Sequence, residues 1–372
     1  MSRPYRILHV IDSLDLGGAQ IVLLNLLKYA DRERFQSEVV ALHGRGVFWP
    51  VIKATGCRMW SMSWHHYFPS YAPGLAALML AKRYDVVHCH LLASNVIAKP
   101  LAALCGVPVR INHDHCNDKL ADPRRWALPA DTWANRYATH VIAVSESARH
   151  FVQEHEHVPA PRTTTIHNGI DCTAYRPRPT QHLAARQRFG IPEDAFVIGG
   201  IGRLTHQKNF AMFIEIAKAV LQYHPEAYFV IAGTGELRAG LEQQAARLGV
   251  EDRVKFLGFV GDMSALYPAL DLLLLTSRYE GLPITILEAM ACGVPIVASK
   301  LDGIAEVLND GRSASLCPHT EAGLFVRRIN EMITMPERRQ AFAEAALAKV
   351  REEYSAERMT RAVEAIYLRH LK

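Results

Sequence analysis

Short apolar runs alternate with longer stretches of helical spacing along this chain, in two series parted by one proline-studded interval. In the first series Ile7–Ile11, Ser37–Leu42, Val86–Cys89, Val109–Asn112, Val141–Val144 and Thr164–Ile166 read as strands. Between them Ala19–Tyr29, Leu75–Ala81, Ser94–Leu104 and Glu146–Glu154 carry helical spacing, the last opened by Ser145 as an N-cap. The second series runs Phe196–Ile201, Tyr228–Ala232, Val254–Leu257, Leu272–Thr276 and Ile296–Ala298, with helices at Phe210–Gln222, Glu236–Leu248 and Pro283–Ala291. Three helical stretches follow between Glu321 and Leu371. Runs apolar on both faces and separated by helices predict parallel sheets covered on both sides. The expectation is α/β: two Rossmann-like doubly wound domains facing a central cleft, 1–178 and 195–352, joined by a linker at 179–194. Sheets of this kind take ligands at the carboxyl ends of their strands.

Composition narrows the class. With 49% hydrophobic and 21% charged residues, 372 positions supply a core for two domains, which excludes a disordered chain. No stretch reaches the ~18–20 apolar residues of a membrane span. Asp12 and Asp15 cut the first apolar run too short for a secretion signal, so a cytoplasmic location is expected. Seven cysteines without a Cys-x-x-Cys pair fit reduced thiols. Residues 1–190 hold 22 Lys and Arg against 14 Asp and Glu, a net +8, while the remainder is net −3. That asymmetry points the first half toward an anionic surface or substrate.

The segment Ser277–Ser299 is the richest in chemistry. Pro283 suits a first helical turn, which sets Glu280 in the loop before the helix and Glu288 inside it. The leading amides of that helix, at Ile284 and Thr285, form an anion site. A glutamate beside an anion site holds hydroxyls rather than the anion. Glu280 borders the turn Gly281-Leu282-Pro283, and Glu288 is set among apolar neighbours, able to grip a diol such as a ribose. The plainer reading makes both glutamates surface residues of an amphipathic helix.

In GGIGRLTHQKNF, Arg203 and Lys208 flank a polar loop after a glycine-ended strand, an arrangement suited to a diphosphate. The strand–glycine–helix theme recurs at IAGTGEL, with Gly233, and at KFLGFVGDMSALY, where the Gly258, Phe259 and Val260 backbone could edge a nucleobase. Gly17 and Gly18 lie between the first strand and first helix, without the Gly-x-Gly-x-x-Gly pattern of a nicotinamide site. No Asp-x-Asp motif is present, so no metal is expected and the two cations stand in for one.

The blocks GGAQ, DVVHCH, AVSE, HNGID, GRLTHQKN, IAGTGEL and EGLPITILEAMACGVPIVAS, in this order from about Tyr5 to Gly311, resemble the retaining glycosyltransferases of family four, and Glu280 and Glu288 match their E-x7-E signature. The resemblance implies a GT-B fold, an acceptor-binding first domain, a nucleotide-sugar-binding second domain, and a final helix at 353–372 crossing back to the first. It implies that Arg203 and Lys208 neutralise the donor diphosphate, Glu288 holds ribose hydroxyls, and Glu280 holds hydroxyls of the transferred sugar. Gly17 and Gly18 would close over the phosphate, and His113 matches the family's histidine near the donor sugar. It further implies retention by same-face displacement without metal, from a nucleoside-diphosphate sugar, by default UDP, to a glycan acceptor carried on a lipid for a surface polysaccharide. An epimerase or hydrolase of similar fold, and a silent nucleotide-sugar-binding subunit, are the alternatives. Two positions depart from the family pattern: Asp302-Gly303 replaces Gly-Gly, and Gln20 replaces a glutamate.

Two features lie outside these blocks. His88, His90, His113 and His115 have metal-ligand chemistry but no thiolate at ligand spacing, and read as packing and polar contacts. Trp60, Trp64, His65, His66, Tyr67, Phe68 and Tyr71 form an aromatic cluster which, if exposed, suits an interfacial membrane foot or a sugar-stacking surface and, if buried, is core under a long loop. With the basic first half, a peripheral role at an anionic surface on the inner face of the membrane is favoured. Dispersed basic residues and the absence of a reader motif argue against a nucleic-acid partner.

Overall fold

The computed structural model describes residues 3–15, 17–62, 71–115 and 124–371. They form two compact units. One comprises Met1–Gly169 with Ala356–Lys372, and the other Ile170–Ser355.

In the N-terminal unit the elements run β1 (Tyr5–Ile11), α1 (Gly18–Tyr29), β2 (Phe35–Ala41), α2 (Trp49–Lys53), β3 (Arg58–Ser61), α3 (Ala72–Lys82), β4 (Val86–His90), α4 (Leu92–Leu104), β5 (Val109–Asp114), α5 (Ala127–Ala134), β6 (His140–Ala143), α6 (Glu146–His155) and β7 (Thr163–Thr165). The strands make one sheet in the order β3-β2-β1-β4-β5-β6-β7, paired in parallel throughout. β4 is buried at every position, as a strand covered on both faces must be. Ser145 caps α6 by accepting from the amide of Ala148.

The C-terminal unit continues with α7 (His182–Phe189), β8 (Val197–Ile201), α8 (Phe210–Leu221), β9 (Tyr228–Ala232), α9 (Arg238–Arg247), β10 (Val254–Gly258), β11 (Leu272–Leu275), α10 (Ile284–Cys292), β12 (Ile296–Ser299), α11 (Asp302–Ala305), β13 (Ser315–Cys317), α12 (Ala322–Thr334) and α13 (Pro336–Glu353). Its parallel sheet has the order β10-β9-β8-β11-β12-β13. Phe213, Phe229 and Phe325 anchor its core. The last helix, α14 (Ala356–Leu371), belongs to the N-terminal unit. It packs against α1, and Glu364 accepts from the amide of Asp31 at 2.8 Å.

The interval expected as a linker is not one. Arg186 of α7 is buried and donates to Asp271 at 2.6 Å, and Asp271 also accepts from the amide of Val197. A paired, buried arginine ties 179–194 into the C-terminal unit, so the division falls at Gly169 rather than at 178.

In both sheets the strand order reverses once, between β1 and β4 and between β8 and β11. Adjacent connections leave in opposite directions there, which opens a crevice beyond the strand ends.

Candidate functional site

The reversal between β8 and β11 positions the predicted residues of the C-terminal unit. After β8 the chain runs past the backbone of Gly233, which has φ +146; a Cβ there would lie 1.9 Å from the carbonyl oxygen of Gly202. Only glycine permits that approach. The Gly233 amide donates to the Gly258 carbonyl at 2.8 Å, joining the turns that follow β9 and β10. Phe259, just beyond, is exposed, and Val260 is partly so.

The loops after β8 and β11 are stitched together. The Arg278 amide donates to the Gln207 carbonyl at 2.8 Å, Gln207 donates to the Tyr279 carbonyl at 3.1 Å, and Thr276 donates to the carbonyls of Lys208 and Asn209. This frame brings Lys208 Nζ to 2.5 Å from Glu280 Oε1, with Glu280 only 7% exposed. Arg203 is exposed and makes no ion pair among the described residues. Gly281 is held by Gly303, where a Cβ would fall 1.5 Å from the Gly281 carbonyl oxygen. The second glycine of the family's pair is thus required sterically, while the first position accepts Asp302, at the start of α11.

Pro283 is the N-cap of α10, one residue later than the sequence reading, so Ile284 and Thr285 supply its leading amides. Glu288 lies within α10 and is 1% exposed. Its Oε2 accepts from the Tyr267 hydroxyl at 2.7 Å. Burial raises the Glu288 carboxyl above its ordinary range, and hydrogen bonds from Tyr267 and Tyr175 pull it back. The surface reading of both glutamates is therefore overturned. Tyr267 and Tyr175 were missed as site residues; Tyr267 stands inside the quoted block KFLGFVGDMSALY, but nothing in its spacing links it to Glu288.

Four buried polar atoms in these segments have no hydrogen-bond partner: Thr205 Oγ1, Ser277 Oγ, Thr285 Oγ1 and Glu288 Oε1. Buried polar groups are almost always satisfied. Four together around one strand reversal mark a place built for a polar ligand.

In the N-terminal unit Gly17 is the N-cap of α1 and Gly18 its first residue. Gln20 donates its amide to the Ser13 carbonyl at 2.9 Å, a bond that the family's carboxylate could not make. His113, near the end of β5, is fully buried. The neighbouring histidines pair ring to ring: His9 Nδ1 with His90 Nε2 at 3.2 Å, His90 Nδ1 with His115 Nε2 at 3.3 Å, and His88 Nε2 with His113 Nδ1 at 3.2 Å. Burial pushes all five imidazoles down, His9 and His115 to about 3. Groups of three of these histidines have ring nitrogens near enough together to hold a metal ion. Neutral rings paired in this way satisfy the facing nitrogens, while His113 Nε2 is left without a partner.

Of the aromatic cluster, positions 63–70 lie outside the described residues. Trp60 donates to Glu38 at 2.8 Å, and Tyr71 is buried, so these two serve the fold. Among the described residues, the exposed large aromatics of the unit are Trp126 (53%) and Trp133 (44%).

Two open parallel sheets, each with a strand reversal, and a paired-glutamate site in the second define a glycosyltransferase of GT-B architecture. The chain belongs to glycosyltransferase family 4: residues 16–174 match "Glycosyltransferase Family 4" and residues 182–349 match "Glycosyl transferases group 1". An uncharacterized glycosyltransferase of Methanocaldococcus jannaschii is 32% identical over 66% of this chain and 66% of its own length. The UDP-Gal:alpha-D-GlcNAc-diphosphoundecaprenol alpha-1,3-galactosyltransferase of Escherichia coli is 28% identical over 62% of this chain and 61% of its own length. The crystal structure of Anabaena HepE with UDP-glucose is similar with a TM-score of 0.88 and 25% identity, covering 97% of this chain and 98% of that one.

Proposed function

We propose that this glycosyltransferase moves a sugar from UDP to a growing glycan on a lipid carrier for a surface polysaccharide, with retained anomeric configuration and without metal. The observation that carries the reading is Glu288. A carboxylate buried against Tyr267, with Oε1 uncommitted, fits the paired hydroxyls of a ribose. Glu280, held by Lys208, then takes hydroxyls of the transferred sugar.

Arg203, Lys208 and the leading amides of α10 offset the diphosphate charge and the charge that develops as the glycosidic C–O bond breaks. The acceptor oxygen forms the new C–O bond, and its proton passes to the leaving phosphate oxygen on the same face. His113 donates to a sugar hydroxyl, and Gly17 and Gly18 give the phosphate close backbone approach. The UDP-glucose in the HepE crystal and the donor and diphosphoundecaprenol acceptor in the Escherichia coli enzyme's name support the donor base and the acceptor class.

The same reading makes the enzyme peripheral to the inner face of a membrane. Trp126, the N-cap of α5, and Trp133 within the helix are seven residues apart, about two helical turns, near the exposed Arg124, Arg125 and Arg136 in sequence. Trp at the headgroup level with Arg beside it suits an anionic lipid surface.

Thermal unfolding with UDP-, GDP-, ADP- and dTDP-sugars, with and without magnesium, tests the donor. A ligand at a hundredfold excess over its Kd raises stability by about 2.7 kcal/mol. A shift with UDP-sugars alone that survives a chelator is expected. A shift that requires magnesium, or none with any donor, would overturn the reading.

A further inference from the structure

His113 Nε2 is buried and has no hydrogen-bond partner. Whether that nitrogen carries a proton follows from the groups behind it. His113 Nδ1 is 3.2 Å from His88 Nε2, and His88 Nδ1 makes a short hydrogen bond with the hydroxyl of Tyr367 on α14. All three side chains are buried. The His88 and His113 rings lie nearly parallel, 15° apart, with centroids at 5.2 Å.

A neutral imidazole has one N–H and one bare nitrogen, so a row of them has a direction. Burial keeps both imidazoles neutral and the Tyr367 phenol protonated. Tyr367 has no other side-chain partner among the described residues, so its O–H donates to His88 Nδ1. His88 then carries its proton on Nε2 and donates to His113 Nδ1, which leaves the His113 proton on Nε2. The reverse direction would strand the phenol proton in the core without an acceptor.

We propose that Tyr367 is a positioning residue: through His88 it holds His113 as the Nε2–H tautomer, so that His113 presents a hydrogen-bond donor, not a base, to an oxygen of the substrate. The functional half of this proposal rests on the reading of His113 as facing the donor sugar. The second row, His9–His90–His115, contains no tyrosine hydroxyl, so the geometry gives it no such direction.

The test is nitrogen NMR of the full chain labelled with 15N-histidine, with signals assigned by loss in His88→Gln and His113→Gln. Expected are Nε2–H tautomers for both rings, and movement of both rings' signals toward a tautomer average in Tyr367→Phe. An Nδ1–H tautomer for His113 in the wild type, or unchanged signals in Tyr367→Phe, would overturn the relay. The wild-type spectrum decides even if the variant fails to fold. UDP release from the donor sugar is measured alongside. Loss of part of the competent tautomer lowers kcat about two- to tenfold with donor KM nearly unchanged. If the spectra show the relay but His113→Ala turns over normally, the substrate-facing reading of His113 fails, and with it the functional half of the proposal.

Discussion

Lys208 Nζ and Glu280 Oε1 are 2.5 Å apart, an ion pair largely shielded from water in the C-terminal unit. The pair fixes the rotamers of a cation and a carboxylate that the proposed reaction needs at separate places, the diphosphate and the sugar. Glu280→Gln keeps the shape and loses the charge. Transfer should fall at least about a hundredfold while the fold persists, and near-normal turnover in a donor-consumption assay would remove Glu280 from its assigned role. Lys208→Met leaves the carboxylate unpaired, which costs on the order of 3 kcal/mol for a buried pair, less here because Lys208 retains some solvent.

Glu288 makes stability depend on pH with a definite sign. Its carboxyl is raised in the folded protein, so the folded state binds the proton more tightly than the unfolded one. Stability is undiminished below the unfolded value near 4.5 and declines as pH rises from there through the folded value. Glu288→Gln should remove that decline, so the variant gains on the wild type between acid and neutral pH in chemical unfolding. It should also weaken UDP binding; parallel pH curves for the two proteins would contradict the assignment of a buried, ionising carboxyl.

The five histidines of the N-terminal unit act in the opposite direction. Their folded pKa values lie below the ordinary 6.5, so their contribution is complete above 6.5 and is lost as pH falls toward the folded values. Each can cost about 1.4 kcal/mol per pH unit over that window. Urea unfolding followed at pH 7.5 and about pH 5.5 should show a large loss in this unit, with His9→Phe shrinking it. An equal midpoint at both values would rule out neutral buried rings.

Two glycine substitutions should diverge. Gly303→Ala places a methyl 1.5 Å from the Gly281 carbonyl oxygen and must displace the loop that carries Glu280. A loss of more than about 2 kcal/mol, together with loss of the UDP-dependent shift, is expected. Gly240→Ala, inside α9 with nothing near the new methyl, should raise stability by up to about 1 kcal/mol. Thermal unfolding of both variants separates steric necessity from helix propensity.

Liposome flotation checks the membrane face. The double variant Trp126→Ala, Trp133→Ala should lose binding to anionic vesicles at low salt, with donor turnover intact. Undiminished flotation would move the contact elsewhere.

The strands that were legible in the sequence are those buried on both faces, such as β4 and β11, because a run without polar interruptions has few other uses. The edge strand β3, RMWS, was not legible: it pairs on one side only and needs no apolar pattern. α5 was hidden by Pro129, which is harmless in a first turn, and Asp131 on that helix is secured by the buried Lys99 at 3.2 Å. The paired glutamates could be read because their spacing lies within one loop and one helix. The partners that fix them could not, since Tyr267 reaches Glu288 and Tyr367 reaches His88 only through the fold.

The placement of α14 also constrains synthesis on the ribosome. Ile170–Ser355 is one uninterrupted segment and can close as soon as it has emerged. The N-terminal unit emerges first with all the strands of its sheet, yet the helix α14 that completes its packing comes last, with the whole second unit translated in between. The side of its core that Tyr367 will cover is open during that interval, exposing Phe35 and His88. The half of the protein made first is therefore the half finished last, and a chain that stops just after Ser355 leaves a complete C-terminal unit joined to an incomplete N-terminal one.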